Sequence, residues 1–327
     1  MSKVRWGILS TATIGTGKVI PAMQKAPHVA VTTIASRNID RAESTAKLLG
    51  IDKAYGSYEE LLGDPDVDAV YIPLPNHLHV PWAIRALEAG KHVLCEKPIG
   101  LSVQEAEQLE AAGRNHPKLK LMEAFMYRHH PQWVKTKELV DSGAIGTLKA
   151  IEAIFAYNNT DPANIRNQAA IGGGGLMDIG CYPISVARFL FAAEPQRVAA
   201  AIEFDPTFGT DTYGTVVMEF ADGTAGFTYS TQLEPHQRVT VMGTGGRVEV
   251  MIPFNAPPDR PCLIDLSVDG KQETIELPTT DQYTVQGERM SQAILDDLPV
   301  PTQIGDAVAN MRVIERCFAA AKAGDWR

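Results

Sequence analysis

The sequence predicts an α/β protein of two domains, the first with a parallel sheet and the second an α+β domain with a largely antiparallel sheet. Its 327 residues are too many for one ordinary compact core. In residues 1–123, short apolar runs alternate with amphipathic helical stretches, which is typical of βαβ units. In residues 124–327, longer runs alternate between apolar and polar side chains, which is typical of a sheet with one covered face.

The predicted strands of the first domain are continuous apolar runs, as expected where helices cover both faces of a parallel sheet. These strands are Val4–Leu9, Val29–Ala35, Ala69–Ile72, His92–Cys95 and Leu119–Met122. Between them, apolar side chains recur at helical spacing. The predicted helices are Gly15–Lys25, Asp40–Leu49, His77–Ala89 and Ser102–Arg114.

Turn signals such as Ala221-Asp222-Gly223 separate the alternating runs of the second domain. The predicted strands there are Leu148–Tyr157, Arg197–Phe204, Thr212–Phe220, Thr224–Thr231 and Gln237–Met242. The predicted helices are Gln132–Asp141, Asp178–Phe191 and Asp306–Ala323.

Composition and charge restrict the possible functions. A hydrophobic fraction of 45% and a charged fraction of 21% are those of a globular protein, and a net charge of −9 argues against a nucleic-acid-binding surface. The apolar run near the N-terminus is too short for a signal peptide or a membrane span. Four scattered cysteines without metal-ligand spacing argue against zinc and for a reducing compartment. We therefore expect a cytoplasmic protein with no metal and with neither nucleic acid nor membrane as a partner.

The residues after the first strand predict a dinucleotide-binding turn with an incomplete glycine pattern. Such a turn brings backbone amides and a helix N-terminus to a pyrophosphate, and its usual form is Gly-x-Gly-x-x-Gly. Here only the third glycine, Gly15, is present, and Ala12 is small enough for close approach. An ordinary tight turn between strand and helix is the alternative. The candidate cofactor contacts are Ser10, Thr11, Ala12, Thr13 and Ile14.

The end of the second strand favours NADP over NAD. NAD enzymes usually carry an acidic residue there for the ribose 2′-hydroxyl. This chain has Ser36 followed by Arg37, and a guanidinium group pairs with a phosphate in bidentate geometry. Arg41, one helical turn further on, is another candidate. The alternative is that Arg37 is a solvated residue before a helix capped by Asn38.

Two further strand ends carry candidate residues at the same edge of the predicted sheet. The strand His92–Cys95 leads into Glu96-Lys97-Pro98, and a lysine directly after a buried strand must find solvent, a partner or a ligand. A surface ion pair between Lys97 and Glu96 is the alternative. After the preceding strand, the candidates for a cofactor wall are Leu74, Pro75, Asn76 and His79, with a plain helix start as the alternative.

Five segments, taken in order, resemble the Gfo/Idh/MocA oxidoreductase family. They span residues 5–12, 75–79, 96–98, 123–131 and 172–182, so the match covers essentially the whole chain. Within the family, the chain is most similar to the branch of the dimeric dihydrodiol dehydrogenases and NADP-dependent D-xylose dehydrogenases, which shares the Ser-x-Ala form of the glycine turn. The resemblance implies an N-terminal Rossmann domain and a C-terminal substrate-binding and oligomerisation domain with an open sheet.

The resemblance maps a catalytic set onto Lys97, Asp178 and Tyr182. On a helix, residues 178 and 182 share one face, and a tyrosine can exchange a proton with a substrate oxygen if a cation stabilises its phenolate. We assign Tyr182 as general acid/base, Lys97 as its electrostatic partner and oxyanion stabiliser, and Asp178 as the acceptor for a substrate hydroxyl. A helix N-cap for Asp178 and a core aromatic for Tyr182 are the alternatives.

The resemblance also implies further contacts and a reaction class. The implied cofactor contacts are Glu96, Lys97, Glu123 and Tyr283, and the implied substrate contacts are Lys97, Arg128, Arg166, Asp178 and Tyr182. Surface ion pairs are the alternative for the two arginines, and core packing is the alternative for Tyr283. The expected function is an NADP-dependent dehydrogenase or reductase that acts on CH–OH groups of a sugar or polyol, as a homodimer or homotetramer. A sugar–sugar oxidoreductase that retains NADP and a non-catalytic NADP-binding regulator are the alternatives.

Overall fold

The structure is a computed structural model that describes residues 2–324 in two compact units. The first unit comprises the chain up to Met126 together with Asp281–Val308, and the second comprises Tyr127–Thr280 together with the chain from Ala309 onward. After the second unit has begun, the chain therefore returns to the first unit over Asp281–Val308. The sequence-based division between residues 123 and 124 does not include this return. The return has a packing reason, because the Trp6 indole N–H donates to the Ser291 hydroxyl at 3.0 Å and Met290 is buried in the core of the first unit.

The first unit is built on a parallel sheet, as the sequence predicts. Within the described residues the sheet has six strands: β1 (Val4–Leu9), β2 (Val29–Ala35), β3 (Lys53–Tyr55), β4 (Ala69–Ile72), β5 (His92–Cys95) and β6 (Leu121–Glu123). Their order is β3-β2-β1-β4-β5-β6. The strand order therefore reverses between β1 and β4, and the carboxyl ends of strands at such a switch point are where open α/β sheets bind ligands.

Helices connect these strands and bury their apolar faces on the sheet. They are α1 (Ile20–Met23), α2 (Ile39–Leu49), α3 (Tyr58–Gly63), α4 (His79–Glu88) and α5 (Val103–Asn115). A π-helical segment, Gly15–Val19, precedes α1, so the single predicted helix over Gly15–Lys25 is two segments of different pitch. The core of the unit contains the fully buried Trp6, Ile8 and Tyr71.

The second unit carries a mostly antiparallel sheet, which confirms the predicted α/β class. It begins with α6 (Pro131–Asp141), β7 (Leu148–Asn158) and α7 (Cys181–Phe191). The remaining strands are β8 (Arg197–Phe204), β9 (Asp211–Glu219), β10 (Thr224–Ser230), β11 (Gln232–Gly243), β12 (Gly246–Val250), β13 (Cys262–Val268) and β14 (Lys271–Leu277). Helix α8 (Gln282–Leu295) belongs to the segment that returns to the first unit, and α9 (Ile304–Ala323) begins in that segment and continues into the second unit. In the described part of the chain, the eight strands run in the order β14-β13-β12-β11-β7-β10-β9-β8, and β7 with β10 is the one parallel pair.

The sequence pattern missed β3, α3, β12, β13, β14 and α8. β3 is three residues long, and β14 exposes polar side chains at most of its positions, so neither has the apolar alternation that indicates a strand. No helix among residues 2–324 is long and apolar enough to cross a membrane.

Candidate active site

The turn after β1 lies at the carboxyl end of that strand, as a dinucleotide-binding turn requires. Ser10 has a φ of 141°, a conformation that costs a residue other than glycine about 1–3 kcal/mol. The Ala12 N–H donates to the Ser10 hydroxyl oxygen at 3.0 Å and fixes the turn. The helical segment Gly15–Val19 begins directly after the predicted contact residues, which are Ser10, Thr11, Ala12, Thr13 and Ile14.

A serine hydroxyl and two exposed arginines follow β2. Ser36 is buried, and its hydroxyl oxygen accepts from the Asn38 N–H at 3.3 Å. Asn38 caps α2 by accepting from the Arg41 N–H at 3.1 Å. The Arg41 guanidinium donates to the Thr11 carbonyl at 3.5 Å, so it lies beside the turn that follows β1. A phosphate next to Ser36 would therefore have the exposed side chains of Arg37 and Arg41 close by.

Tyr58, the first residue of α3, belongs to the same corner and was missed by the sequence pattern. Its side chain is buried and packs edge-to-face on Trp82, with the ring centroids 4.9 Å apart. Burial raises the pKa of Tyr58, and the positive charge of the nearby Arg37 opposes that shift. The sequence does carry a signal, because Tyr58 directly follows the helix cap Ser57. A tyrosine that is buried at a helix start needs a hydrogen-bond partner for its hydroxyl, and this need points to polar neighbours.

His79 ties together the two loops that follow β4 and β5. Its ring is 1% exposed, with Nε2 2.7 Å from the Leu74 carbonyl and Nδ1 2.8 Å from the Pro98 carbonyl. Burial lowers the pKa of His79 to about 4, although the hydrogen bonds to the two carbonyl oxygens favour the protonated form. The ring is therefore fixed between the two loops, and its role as a cofactor contact stays a prediction. Leu74 is buried, while Pro75 and Asn76 are half-buried.

Glu96 lies beside the buried Tyr71 and the partly buried Tyr283 at the end of β5. The Tyr71 hydroxyl donates to Glu96 Oε1 at 2.6 Å, and the Lys97 N–H donates to Glu96 Oε2 at 3.3 Å. The Glu96 charge also raises the pKa of Tyr283, after burial as the larger cause, so Tyr283 lies near this carboxylate. Glu123 is opposite Cys95 in the sheet and is 3% exposed. Tyr71 was not singled out from the sequence, because its position in a buried strand reads as core.

Asp178 is held by two donors from other elements of the second unit. The Arg166 Nε donates to Asp178 Oδ2 at 2.8 Å, and the Tyr157 hydroxyl donates to the same oxygen at 2.7 Å. The Asp178 charge raises the pKa of Arg166, while burial followed by the Asp178 charge raises that of Tyr157. Arg166 was predicted as a contact residue, and Tyr157 was missed because it reads as one position in the alternation of β7.

Tyr182 lies one helical turn after Asp178. The π-helical segment Leu176–Gly180 carries Asp178, and α7 carries Tyr182, so the predicted continuous helix changes pitch between them. The Tyr182 side chain is 5% exposed, and its ring packs among Tyr127, Phe155 and Phe254 with centroid distances of 5.8, 5.7 and 5.1 Å. The ring is thus fixed by aromatic packing on several sides.

Arg128 contacts residues of its own unit. Its Nη2 donates to the Ser185 hydroxyl oxygen at 2.8 Å, and its guanidinium carbon lies 5.3 Å from the centre of the Phe189 ring. Ser185 is fully buried and also hydrogen-bonds the Tyr127 hydroxyl at 2.7 Å. Arg128 therefore braces the helix that carries Tyr182, and its role as a substrate contact stays a prediction.

The structure groups the candidate residues separately within each unit. The first unit holds the turn after β1, the Ser36 corner, the loop carrying His79, and Glu96 with Lys97. The second unit holds Asp178, Tyr182, Arg166 and Arg128. Among residues 2–324, no group of three or more His, Cys, Asp or Glu side chains could hold a metal ion.

Two family models match the chain. The model described as an oxidoreductase family with an NAD-binding Rossmann fold matches residues 4–125. The model of the GFO/IDH/MocA C-terminal domain matches residues 133–249. Together they cover more than half of the 327 residues.

Named relatives are similar over nearly their whole length. A D-xylose 1-dehydrogenase (NADP(+)) from Haloferax volcanii is 39% identical, with 98% of each chain covered. The structure of a 3-ketoreductase from Actinomadura kijaniata, in complex with NADP and TDP-benzene, has a TM-score of 0.91 at 32% identity, with 98% of each chain covered. An aldose-aldose oxidoreductase from Caulobacter crescentus, complexed with glycerol, also has a TM-score of 0.91, at 27% identity and 98% coverage of each chain. The sequence, the two sheets and these matches agree that the chain belongs to the Gfo/Idh/MocA family of oxidoreductases.

Proposed function

We propose that this chain transfers hydride reversibly between NADP(H) and a CH–OH or carbonyl group of a sugar or related polyol. The observation that carries the proposal is the Asp178 carboxylate, held by Arg166 and Tyr157 one helical turn before Tyr182. A fixed carboxylate beside a phenol can orient a substrate hydroxyl and supply a proton partner for the same oxygen.

The proposed roles follow from the charge that develops on the substrate oxygen. When bound, the nicotinamide supplies or accepts the hydride. Tyr182 exchanges the proton of the substrate oxygen, and Asp178 accepts a hydrogen bond from a substrate hydroxyl. The proposal gives Lys97 the role of stabilising the Tyr182 phenolate and the substrate oxyanion. Arg128 and Arg166 are proposed substrate contacts.

Preference for NADP rests on the corner after β2. Ser36, Arg37 and Arg41 offer a hydroxyl and two cations, and the strand end carries Ser36 where NAD enzymes usually carry an acidic residue, which suits a 2′-phosphate. The names of the xylose dehydrogenase and of the ketoreductase complex both include NADP. The proposed pyrophosphate contacts are the residues 10–14, and the proposed nicotinamide-side contacts are Leu74, Pro75, Asn76, His79, Glu96, Lys97, Glu123 and Tyr283.

A second candidate function is hydride exchange between two sugars with a nucleotide that is not released. The similarity to the aldose-aldose oxidoreductase favours it, because that structure has the same TM-score of 0.91 as the ketoreductase, although its sequence identity is lower. Nucleotide that remains with the protein through dialysis would support this candidate. Nucleotide that is lost and must be added for turnover would support the first.

The test of the proposed function is a panel of aldoses, ketoses and diols assayed in both directions by NADPH absorbance, with NADH in parallel. We expect turnover with at least one sugar-related class and a higher kcat/KM with NADPH than with NADH. Tight NADPH binding without turnover of any member would contradict the proposal and would indicate a non-catalytic NADP-binding protein.

A further inference from the structure

A buried carboxylate on β9 contacts the segment from which the Asp178 helix begins. Asp211 is 2% exposed, and its Oδ2 accepts from the Leu176 N–H at 2.6 Å. The same oxygen accepts from the hydroxyl of Tyr229, a fully buried residue of β10, at 2.7 Å. Burial raises the pKa of Asp211, while these donors favour its charged form. The carboxylate is therefore joined by hydrogen bonds to one helix start and one neighbouring strand.

The contact between Asp211 and the helix start leaves no room for side chains on the glycines before Leu176. A Cβ at Gly174 would lie 2.1 Å from Asp211 Oδ1, and Gly174 has a φ of 126°, which favours glycine. A Cβ at Gly175 would lie 2.7 Å from the Tyr229 ring. Side chains at these positions would push the carboxylate and the phenol away from the helix start, so the glycine run is matched to Asp211 and Tyr229.

The same segment holds the loop that carries Arg166. The Gly174 N–H donates to the Arg166 carbonyl at 2.9 Å, and its own carbonyl accepts from the Asp178 N–H at 3.0 Å. Both partners of the Arg166–Asp178 ion pair are thus attached to Gly174 through the backbone. A shift of Gly174 would move the two charged groups at once.

The residue that precedes the helix start supplies no side-chain acceptor, and Asp178 is the acidic residue of the first turn. Gly175 precedes the segment Leu176–Gly180, and no side chain there makes a cap hydrogen bond. The first N–H groups of a helix need an outside acceptor, and a negative charge near them is favourable. Asp211 supplies both from a position 35 residues away.

We propose that Asp211 and Tyr229 are positioning residues that set the place of Asp178, and through its helix that of Tyr182, for the hydride-transfer reaction. The proposal rests on the proposed function for its catalytic consequence. The proposal gives neither residue a contact with the substrate. They act through Gly174 and Leu176.

The test uses Tyr229→Phe, which removes one hydrogen bond to Asp211 but keeps the ring between the glycines, and Asp211→Asn, which removes the charge. Asp222→Asn is the matched control, because Asp222 is exposed in the turn between β9 and β10. We expect kcat to fall about tenfold or more in the first two variants, the scale of one lost charge-assisted hydrogen bond. The KM for NADPH should stay unchanged in all three, because the proposed nucleotide contacts lie in the first unit. Hydrogen exchange of the amides of residues 174–178 should become faster in Tyr229→Phe and Asp211→Asn and stay as in the wild type in Asp222→Asn.

Two results would overturn the inference. One is unchanged hydrogen exchange at residues 174–178 in Tyr229→Phe and Asp211→Asn. The other is faster exchange with kcat within twofold of wild type, since the segment would then be loosened without effect on the reaction. Failure of the proposed function has a different signature, because the wild type itself would then turn over no substrate. Hydrogen exchange would in that case still decide whether Asp211 and Tyr229 order the segment.

Discussion

Asp178 shows how a single residue acquires a defined role from partners distant in sequence. Its identity as a candidate follows from the sequence, but its hydrogen bond from Tyr157 depends on the position of β7. Tyr71 with Glu96 and Asp211 with Leu176 are similar cases, because each bond joins residues 25 or more positions apart. Candidate residues next to strand ends could be predicted from the sequence. The residues that hold these candidates in place could not, because their contacts depend on how distant elements of the chain pair.

The first prediction concerns the choice of cofactor. Arg37→Ala should weaken NADPH binding about ten- to a hundredfold and leave NADH binding nearly unchanged, because a charge-assisted hydrogen bond contributes about 1.5–3 kcal/mol. Fluorescence titration of each nucleotide measures both affinities. Lys47→Ala is the control, since it removes an exposed positive charge from α2 at a position away from Ser36. Equal weakening of NADPH and NADH in Arg37→Ala would refute the 2′-phosphate assignment.

At the scale of elements, continuous apolar runs were the reliable signal. β1, β2, β4 and β5 begin and end where the sequence predicts, because strands buried on both faces contain little else than apolar residues. The wide turns Gly15–Val19 and Leu176–Gly180 could not be predicted, since periodicity does not separate a π-helical turn from an α-helical one. Both follow a turn that contains a residue of positive φ, which is Ser10 in the first case and Gly174 in the second.

The second prediction concerns the contact between the two loops through His79. Its pKa is lowered from 6.5 to about 4 in the folded protein, so between these pH values the unfolded chain takes up a proton that the folded chain does not. The free energy of unfolding should therefore fall as the pH falls. From pH 7 to pH 5 the loss attributable to His79 is about 2 kcal/mol.

Urea unfolding of the wild type and of His79→Gln at both pH values measures this contribution. The variant cannot titrate, so it should lose about 2 kcal/mol less than the wild type over the same interval. Equal losses in the two proteins would show that His79 does not resist protonation in the folded state.

At the scale of the whole molecule, the order of segments and the two sheets could be predicted, whereas the return of Asp281–Val308 to the first unit could not. That return depends on contacts such as Trp6 with Ser291, which are 285 positions apart.

The eight-stranded sheet also has one face with exposed apolar side chains at Tyr213, Val217 and Leu263. Exposed apolar groups on a sheet face favour association, and we propose that this face joins two copies of the chain.

The third prediction follows from that face. Val217→Glu places a charge on the β9 part of this face and should shift the protein towards monomer, because an unpaired charge in an interface costs several kcal/mol. Light scattering coupled to gel filtration measures the mass. Leu48→Glu is the control, since Leu48 is 81% exposed on α2. An oligomer of unchanged mass in Val217→Glu, or a monomeric wild type, would contradict the proposed interface.

The most direct test of the central claim is the single-site variant Tyr182→Phe, assayed with the best substrate of the panel. Loss of the phenol removes the proton transfer alone, so kcat should fall about a hundredfold or more while the affinity for NADPH is unchanged. Full turnover in Tyr182→Phe would contradict the assignment of Tyr182 as the acid/base.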